Sequence, residues 1–196
     1  IERPYSPVRF KELLVSPNEM KQKFIRLINE EIKNKQAGKP AYILIKINHI
    51  TDPVMVKKLY EASSHGVRID LLVRGNCSLI TGVPGVSDTI RINGIIDRYL
   101  EHSRIFIFAN GGDEKMFIGS ADWMPRNLDN EVEVIAPVYD TGNKGRLKRV
   151  VEYGLKDTLQ GRVWTEQERI VLGYRKIRQL PFAGGIIQIL FKMKTE

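Results

Sequence analysis

A chain of 196 residues, 42% hydrophobic and 28% charged, suffices for one domain with a sizeable core, with or without an extension. Its formal charge of +8 is uneven: residues 141–196 hold 12 Lys or Arg against 5 Asp or Glu, so the body is nearly balanced and a nucleic-acid surface over the whole molecule is not indicated. No uninterrupted apolar run is long enough to span a bilayer, no secretory leader opens the chain, and the single Cys77 cannot close an internal disulfide, so a reducing, cytoplasmic setting is expected. The first residue is Ile1, which makes an excised or processed piece of a longer protein the expectation.

Glu2 to Phe10 carries Pro4 and Pro7 and reads as a connection between domains. Leu13 to Val15 reads as a short strand. Ser16 is the expected N-cap of a helix with Pro17 at its first position, running to about Lys35. Met20, Phe24, Ile28 and Ile32 give it one apolar face. Ala41 to Ile47 is a β-prone run, Asp52-Pro53 opens a helix to about Ser64, and Gly66 closes it. Val67 to Val73 alternates Val67, Ile69, Leu71 and Val73 against Arg68 and Asp70. This spacing predicts a right-handed strand–helix–strand unit with parallel strands. Ligands of such sheets bind beyond the carboxyl ends of the strands. Those ends carry Lys46 and Asn48 after the first strand, and Arg74 and Gly75 after the second.

Asn76 to Gly94 reads as a long loop of the kind that often carries function. Ile95 to Leu100 is a short apolar element. A hairpin follows over residues 101–119, turning at Asn110-Gly111-Gly112-Asp113. Glu131 to Pro137 reads as a last strand and Gly142 to Leu159 as a helix. The apolar run Gly184 to Phe191 fits either a packed terminal strand or an aggregation-prone end.

The densest chemistry lies in Glu101 to Asn127, EHSRIFIFANGGDEKMFIGSADWMPRN. His102 opens one strand of the hairpin, and Ser120, Asp122, Trp123, Arg126 and Asn127 follow the other. A positioned imidazole among cations and donors suits phosphoryl chemistry, in which charge spreads over several oxygens. The stretch resembles the C-terminal catalytic domain of the ATP-using bacterial polyphosphate kinases, which carry runs like YLEHSRIFIFANGGD and SSADWMPRNLD. Tyr99 to Asp113 and Ser120 to Asp129 match them. The match extends back through Leu71 to Arg91 and Asn48 to Gly75, and covers roughly residues 1–140. Several long motifs in order and spacing are more specific than one glycine-rich loop.

That resemblance implies an α/β, phospholipase D-like sandwich of a mixed sheet flanked by helices over residues 1–140. Residues 141–196 would be a basic helical tail or an extension of the same domain. It implies reversible transfer of the terminal phosphate of ATP to polyphosphate, through a phosphohistidine on an upstream domain absent from this chain. His102 would be the partner histidine, contacting the phosphate or protonating the leaving oxygen. Arg74 matches the family arginine that holds nucleotide phosphates. Lys46, Arg98, Arg104 and Arg126 are weaker candidates. The implied partners are ATP or ADP, polyphosphate, the upstream domains and further copies of the enzyme, without nucleic acid or a transmembrane segment. Magnesium would be held by upstream residues and the phosphates, and the full-length enzyme would be cytoplasmic, with membrane association left open.

The stretch is also similar to half of a phospholipase D-type site, built as H-x-K followed by G-S-x-N. His102-x-Arg104 and Gly119-Ser120-x-Asp122 stand at those places. A phosphodiesterase or nuclease half that pairs by dimerisation is therefore the first alternative, and the Arg and Asp departures weigh against it. A non-catalytic polyanion-binding module is the second, favoured only by the basic tail. His65 suits a helix C-terminus, and His49 lies near the site without an evident partner. Asp122 and Asp129 either orient arginines or form ordinary surface pairs. Trp123 either stacks a base or fills the core. Cys77 is either activated by nearby Arg74 or simply buried. No Cys/His cluster has metal-ligand spacing, and there is no Walker loop.

Overall fold

The structure is a computed structural model that describes residues 10–95, 100–156 and 161–163. Its elements in chain order are β1 (Leu14–Val15), α1 (Met20–Gln36), β2 (Tyr42–Ile47), α2 (Pro53–Ser64), β3 (Arg68–Val73), β4 (Ile90–Ile95), β5 (Arg104–Phe108), β6 (Lys115–Gly119), α3 (Pro125–Asp129), β7 (Val134–Pro137), α4 (Thr141–Lys156) and β8 (Gly161–Val163). The strands form one mixed sheet in the order β1-β7-β6-β5-β2-β3-β4-β8. β2 and β3 are parallel, as a helical crossover through α2 requires, and β4 adds parallel to β3 after the loop 74–89, while β5, β6 and β7 return antiparallel on the other side of β2.

Period-two alternation sorts the side chains between two helical layers. Ile43, Ile45, Phe106 and Phe108 face α1 and α2, where they meet Phe24, Ile28, Met55 and Leu59 in the larger core. Leu44, Ile105, Ile107 and Met116 face α4 and pack on Val151. Burying each such side chain contributes about 1.5–3 kcal/mol. The predicted apolar stripe of α1 is the one that is buried: Met20, Phe24, Ile28 and Ile32 all lie in the core. Asp52 caps α2, its Oδ1 accepting from the amides of Val54 at 3.0 Å and Met55 at 2.9 Å.

Three local expectations are corrected. Ser16 does not cap α1, whose N-cap is Glu19 without a side-chain bond. Ser16 instead extends the β1–β7 pairing, donating to the carbonyl of Glu131 at 2.6 Å and accepting from the amide of Glu133 at 3.0 Å. The long loop after Arg74 ends at Thr89, because Ile90–Ile95 forms β4 beside β3; Gly94, read as a loop marker, sits in register with Val73. A short helix, α3, lies between β6 and β7, where only a polar cluster was evident. The Gly184 to Phe191 run, Arg98 and most of the Ile95 to Leu100 element fall outside the described residues. No helix among the described residues is long and apolar enough to cross a membrane.

Candidate active site

Register decides which side chains meet. β2 ends with Ile47 beside Val73 of β3, and its Lys46 lies opposite Ile105 of the antiparallel β5. The segments that leave this edge are therefore Asn48-His49, Arg74-Gly75 and His102-Ser103. β6 pairs Gly119 with Arg104, and β7 pairs Ile135 with Gly119, so Ser120–Asp122 and Glu131–Glu133 emerge beside them. The sheet order reverses at β2, and a crevice opens there, as expected at a topological switch point. It is a cleft of about 880 Å³, walled by Asn48, His49, Arg74, His102, Arg104 and Asp122, with Ser120, Arg126, Glu131 and Glu133 toward one side.

Asp122 is the anchor of this cleft. Its Oδ1 accepts from Arg104 Nε at 3.2 Å and its Oδ2 from Arg104 Nη2 at 3.0 Å. The pair is largely shielded from water, with the two side chains 11% and 6% exposed. The same Oδ1 takes the backbone amides of Asn48 at 2.9 Å and His49 at 3.3 Å. One carboxylate thus ties the β2 end to the β5 end. Arg104 then holds His102: Nη1 lies 3.0 Å from Nδ1 and 3.3 Å from Nε2 of the ring and donates to the His102 carbonyl at 2.9 Å. Nη1 meets both ring nitrogens at once, a contact that fixes the position of the ring and not its tautomer.

Arg74 lines the cleft half-buried, and no carboxylate pairs with it among the described residues. Arg126 sits exposed at the rim and pairs with Glu131 at 3.1 Å. Lys46 does not line the cleft. It alternates with Leu44 onto the α4 face and is 3% exposed. Its Nζ donates to the carbonyl and Oγ of Ser103 at 3.1 and 2.8 Å and pairs with Glu101 at 3.1 Å, gripping both neighbours of His102.

A family model described as polyphosphate kinase C-terminal domain 2 matches residues 13–178. The chain belongs to this family. It is 46% identical over 162 residues to polyphosphate kinase from Escherichia coli (strain K12), covering 83% of this chain and 24% of that protein. The crystal structure of polyphosphate kinase from Porphyromonas gingivalis superimposes with a TM-score of 0.77 at 36% identity, over 98% of this chain and 30% of that one. The chain therefore spans about a quarter of the length of the curated relatives it matches. Nuc from Salmonella typhimurium, a phospholipase D family member, aligns with a TM-score of 0.55 at 14% identity, over 79% of this chain and 97% of that one. That likeness shows the fold alone: a phospholipase D-like mixed sheet flanked by helices.

Trp123 is fully buried, packing on Phe24 and Phe106 with centroids 5.2 and 5.8 Å away, so it stacks no base. Burial pushes the Cys77 thiol up to about 12, the reverse of activation. His65 ends α2, its Nδ1 2.8 Å from the carbonyl of Glu61. Asp129 pairs with Lys21 at 2.6 Å, not with an arginine. The described residues contain no group of three or more His, Cys, Asp or Glu placed to hold a metal ion. The cleft's carboxylates are already bound: Asp122 to Arg104, Glu131 to Arg126, and Glu133 to Ser120. These residues do not fit a dedicated magnesium cage, which binds few carboxylates but needs them free.

Asn48 and the exact setting of His49 escaped the sequence reading as site residues. Sequence did place both after β2, at the edge where ligands bind. Their chemistry depends on partners 27 and 74 residues away. The displacement of Lys46 was legible in principle, since simple alternation from Ile43, Ile45 and Ile47 assigns it to the other face.

Proposed function

We propose that this chain is the phosphate-binding half of a polyphosphate kinase active site, and that the full-length enzyme transfers the terminal phosphate of ATP reversibly to polyphosphate. The nucleophilic histidine lies on another domain. The phosphoryl group leaves ADP, forms a phosphohistidine there, and passes to the end of the chain. The observation that carries this reading is the convergence of His102, Arg74 and the Arg104–Asp122 pair on one cleft at the switch point of the sheet.

In this reading Arg74 grips phosphate oxygens with a fork that no carboxylate among the described residues occupies. His102 contacts the transferring phosphate or protonates the leaving oxygen. A nucleophilic imidazole is usually oriented by an acceptor on its second nitrogen. The group beside the His102 ring is the guanidinium of Arg104, a pure donor, which favours the partner role. Arg104 and Lys46 position His102, and Arg126 stands at the rim. Magnesium would enter with the phosphates and residues outside this chain. A cytoplasmic, oligomeric enzyme with ATP, ADP and polyphosphate as partners accompanies this reading.

The test is kinetic, in the full-length enzyme, with circular dichroism as the folding control. His102→Ala should lower turnover by about 100- to 10,000-fold, the range of a positioned acid or base. Arg74→Ala should raise the Michaelis constant for ATP, and Arg74→Lys should restore it only in part because lysine lacks the fork. Near-normal turnover in a folded His102→Ala enzyme would overturn the mechanism.

A further inference from the structure

Two donors in the cleft remain without a task. Asn48 is 1% exposed, yet neither its Oδ1 nor its Nδ2 has a hydrogen-bond partner among the described residues. A buried amide without a partner is costly and uncommon in a native fold. Asn48 is also one of the residues that wall the cleft; its amide is covered there, so a turn of the side chain toward the cleft is what would give it a ligand oxygen as partner. Its main-chain amide is fixed by the Asp122 carboxylate, so the residue stays at the cleft wall while its side chain can turn.

The second donor is His49. Its Nδ1 accepts from the amide of Asn76 at 3.0 Å. In the neutral ring this assigns the proton to Nε2, which has no hydrogen-bond partner among the described residues. The ring is clamped in place. A Cβ at Gly75 would collide with it, lying 2.7 Å from Nδ1, so glycine is what lets the ring lie against the β3 end. The His49 carbonyl accepts from the amide of Trp123 at 3.1 Å, and its own amide donates to Asp122. Backbone and ring are both held, and one N–H is left over at the cleft that Arg74 shares.

We infer that Asn48 Nδ2 and His49 Nε2 form a substrate-binding pair that donates to non-bridging oxygens of a bound phosphate group in the cleft of Arg74 and His102. The inference rests on the phosphate-binding reading above and assigns two further residues to it. Both groups are neutral donors on a rigid strand end, a form suited to recognising phosphate oxygens by geometry in addition to charge. Nucleotide and polyphosphate present the same oxygens, so the ligand class is a phosphate chain from either source.

The experiment measures equilibrium binding of tripolyphosphate and of ADP to the full-length protein by calorimetry. The variants are His49→Ala, His49→Gln and Asn48→Asp, with Arg74→Ala alongside. A hydrogen bond to a charged oxygen is lost in His49→Ala, so affinity should fall by about tenfold or more. His49→Gln should recover most of it, since its amide still donates. Asn48→Asp should bind worse than either, because a carboxylate faces the phosphate. A loss for tripolyphosphate alone assigns the pair to the polyphosphate chain. A loss for ADP alone assigns it to the nucleotide, and equal losses assign it to the phosphate that both share. Unchanged affinity for both ligands in folded His49→Ala and Asn48→Asp, with Arg74→Ala weakened, overturns the pair and leaves the phosphate-binding reading standing. Unchanged affinity in Arg74→Ala strikes that reading itself. Should the variants not fold, the parent protein decides: tripolyphosphate or ADP should shield His49 from diethyl pyrocarbonate while His65, exposed at the far end of α2, stays reactive. Equal reactivity of His49 with and without both ligands overturns the inference.

Discussion

Asp122→Asn is the most discriminating single change in this domain. The carboxylate takes four hydrogen bonds: two from Arg104 at 3.2 and 3.0 Å, and the amides of Asn48 and His49 at 2.9 and 3.3 Å. An asparagine amide keeps one oxygen, which can still serve the three donors at Oδ1. At the other position its NH2 faces Arg104 Nη2, donor against donor. Removing one partner of a buried ion pair costs about 3–5 kcal/mol. Here three contacts survive and Arg104 can turn into the open cleft, so the cost falls below that range, to about 2–3 kcal/mol. That is roughly a 30- to 150-fold rise in local opening. Hydrogen exchange of the Asn48 and His49 amides in the full-length enzyme reads it directly. Turnover should fall as well, by roughly 10- to 100-fold, because Arg104 no longer holds His102 in line. Unchanged exchange at residues 48–49 together with unchanged turnover would refute Asp122 as the anchor of the cleft.

Gly119→Ala should loosen the β6–β7 edge by about 1–3 kcal/mol, since a Cβ there would drive into the Val134 carbonyl and stand 2.6 Å from Cδ1 of Ile135; faster exchange over residues 115–120 checks it. Lys46→Met should lower turnover about tenfold with little change in the Michaelis constant for ATP, because Lys46 grips Ser103 and Glu101 and stays outside the cleft; a pure binding defect would contradict this. Cys77, with its thiol pushed up to about 12, stays protonated at pH 8, so iodoacetamide should label it far more slowly in the native protein than after denaturation; equal rates would contradict that environment.

The sequence disclosed what depends on local period and spacing. The apolar face of α1, the Asp52 cap and the parallel β2–β3 pair all follow from residues close together in the chain. The edge that holds the cleft followed from them, because strand direction alone places Arg74 beside Asn48. The losses came where distant partners override a local signal. Ser16 looked like a helix cap, but the Glu131–Glu133 backbone, far along the chain, takes its hydroxyl. Gly94 looked like a loop but is carried in β4 by its neighbours on both sides. The Arg104 and Asp122 departures from the phospholipase D pattern counted separately against that family, while an Asp122 that orients an arginine was one of two expected settings and is the one found. In the fold they are one feature, a two-pronged ion pair, and replacing only one of them would leave a shielded charge alone.

That pairing also divides labour among the arginines of the cleft. Arg104 directs Nε and Nη2 at Asp122, and Nη1 at the His102 ring and carbonyl. Little of its fork remains for a phosphate oxygen, so it acts through His102. Arg126 points its Nε at Glu131 and is largely exposed, which places it where an ion pair is screened and weak. Arg74 alone of the three meets no carboxylate among the described residues, yet it leaves β3 at the edge where phosphate would arrive. In the proposed mechanism a bound phosphate completes Arg74, while Arg104 is complete before substrate enters. An arginine already paired needs no reorganisation to orient its imidazole, and an unpaired one retains its attraction for the ligand. The same carboxylate that occupies Arg104 fixes Asn48 and His49, so the neutral donors and the imidazole are set by a single group. The cleft is thus preorganised at Asp122 and left open at Arg74, the arrangement a site needs if phosphate is to supply the last contact.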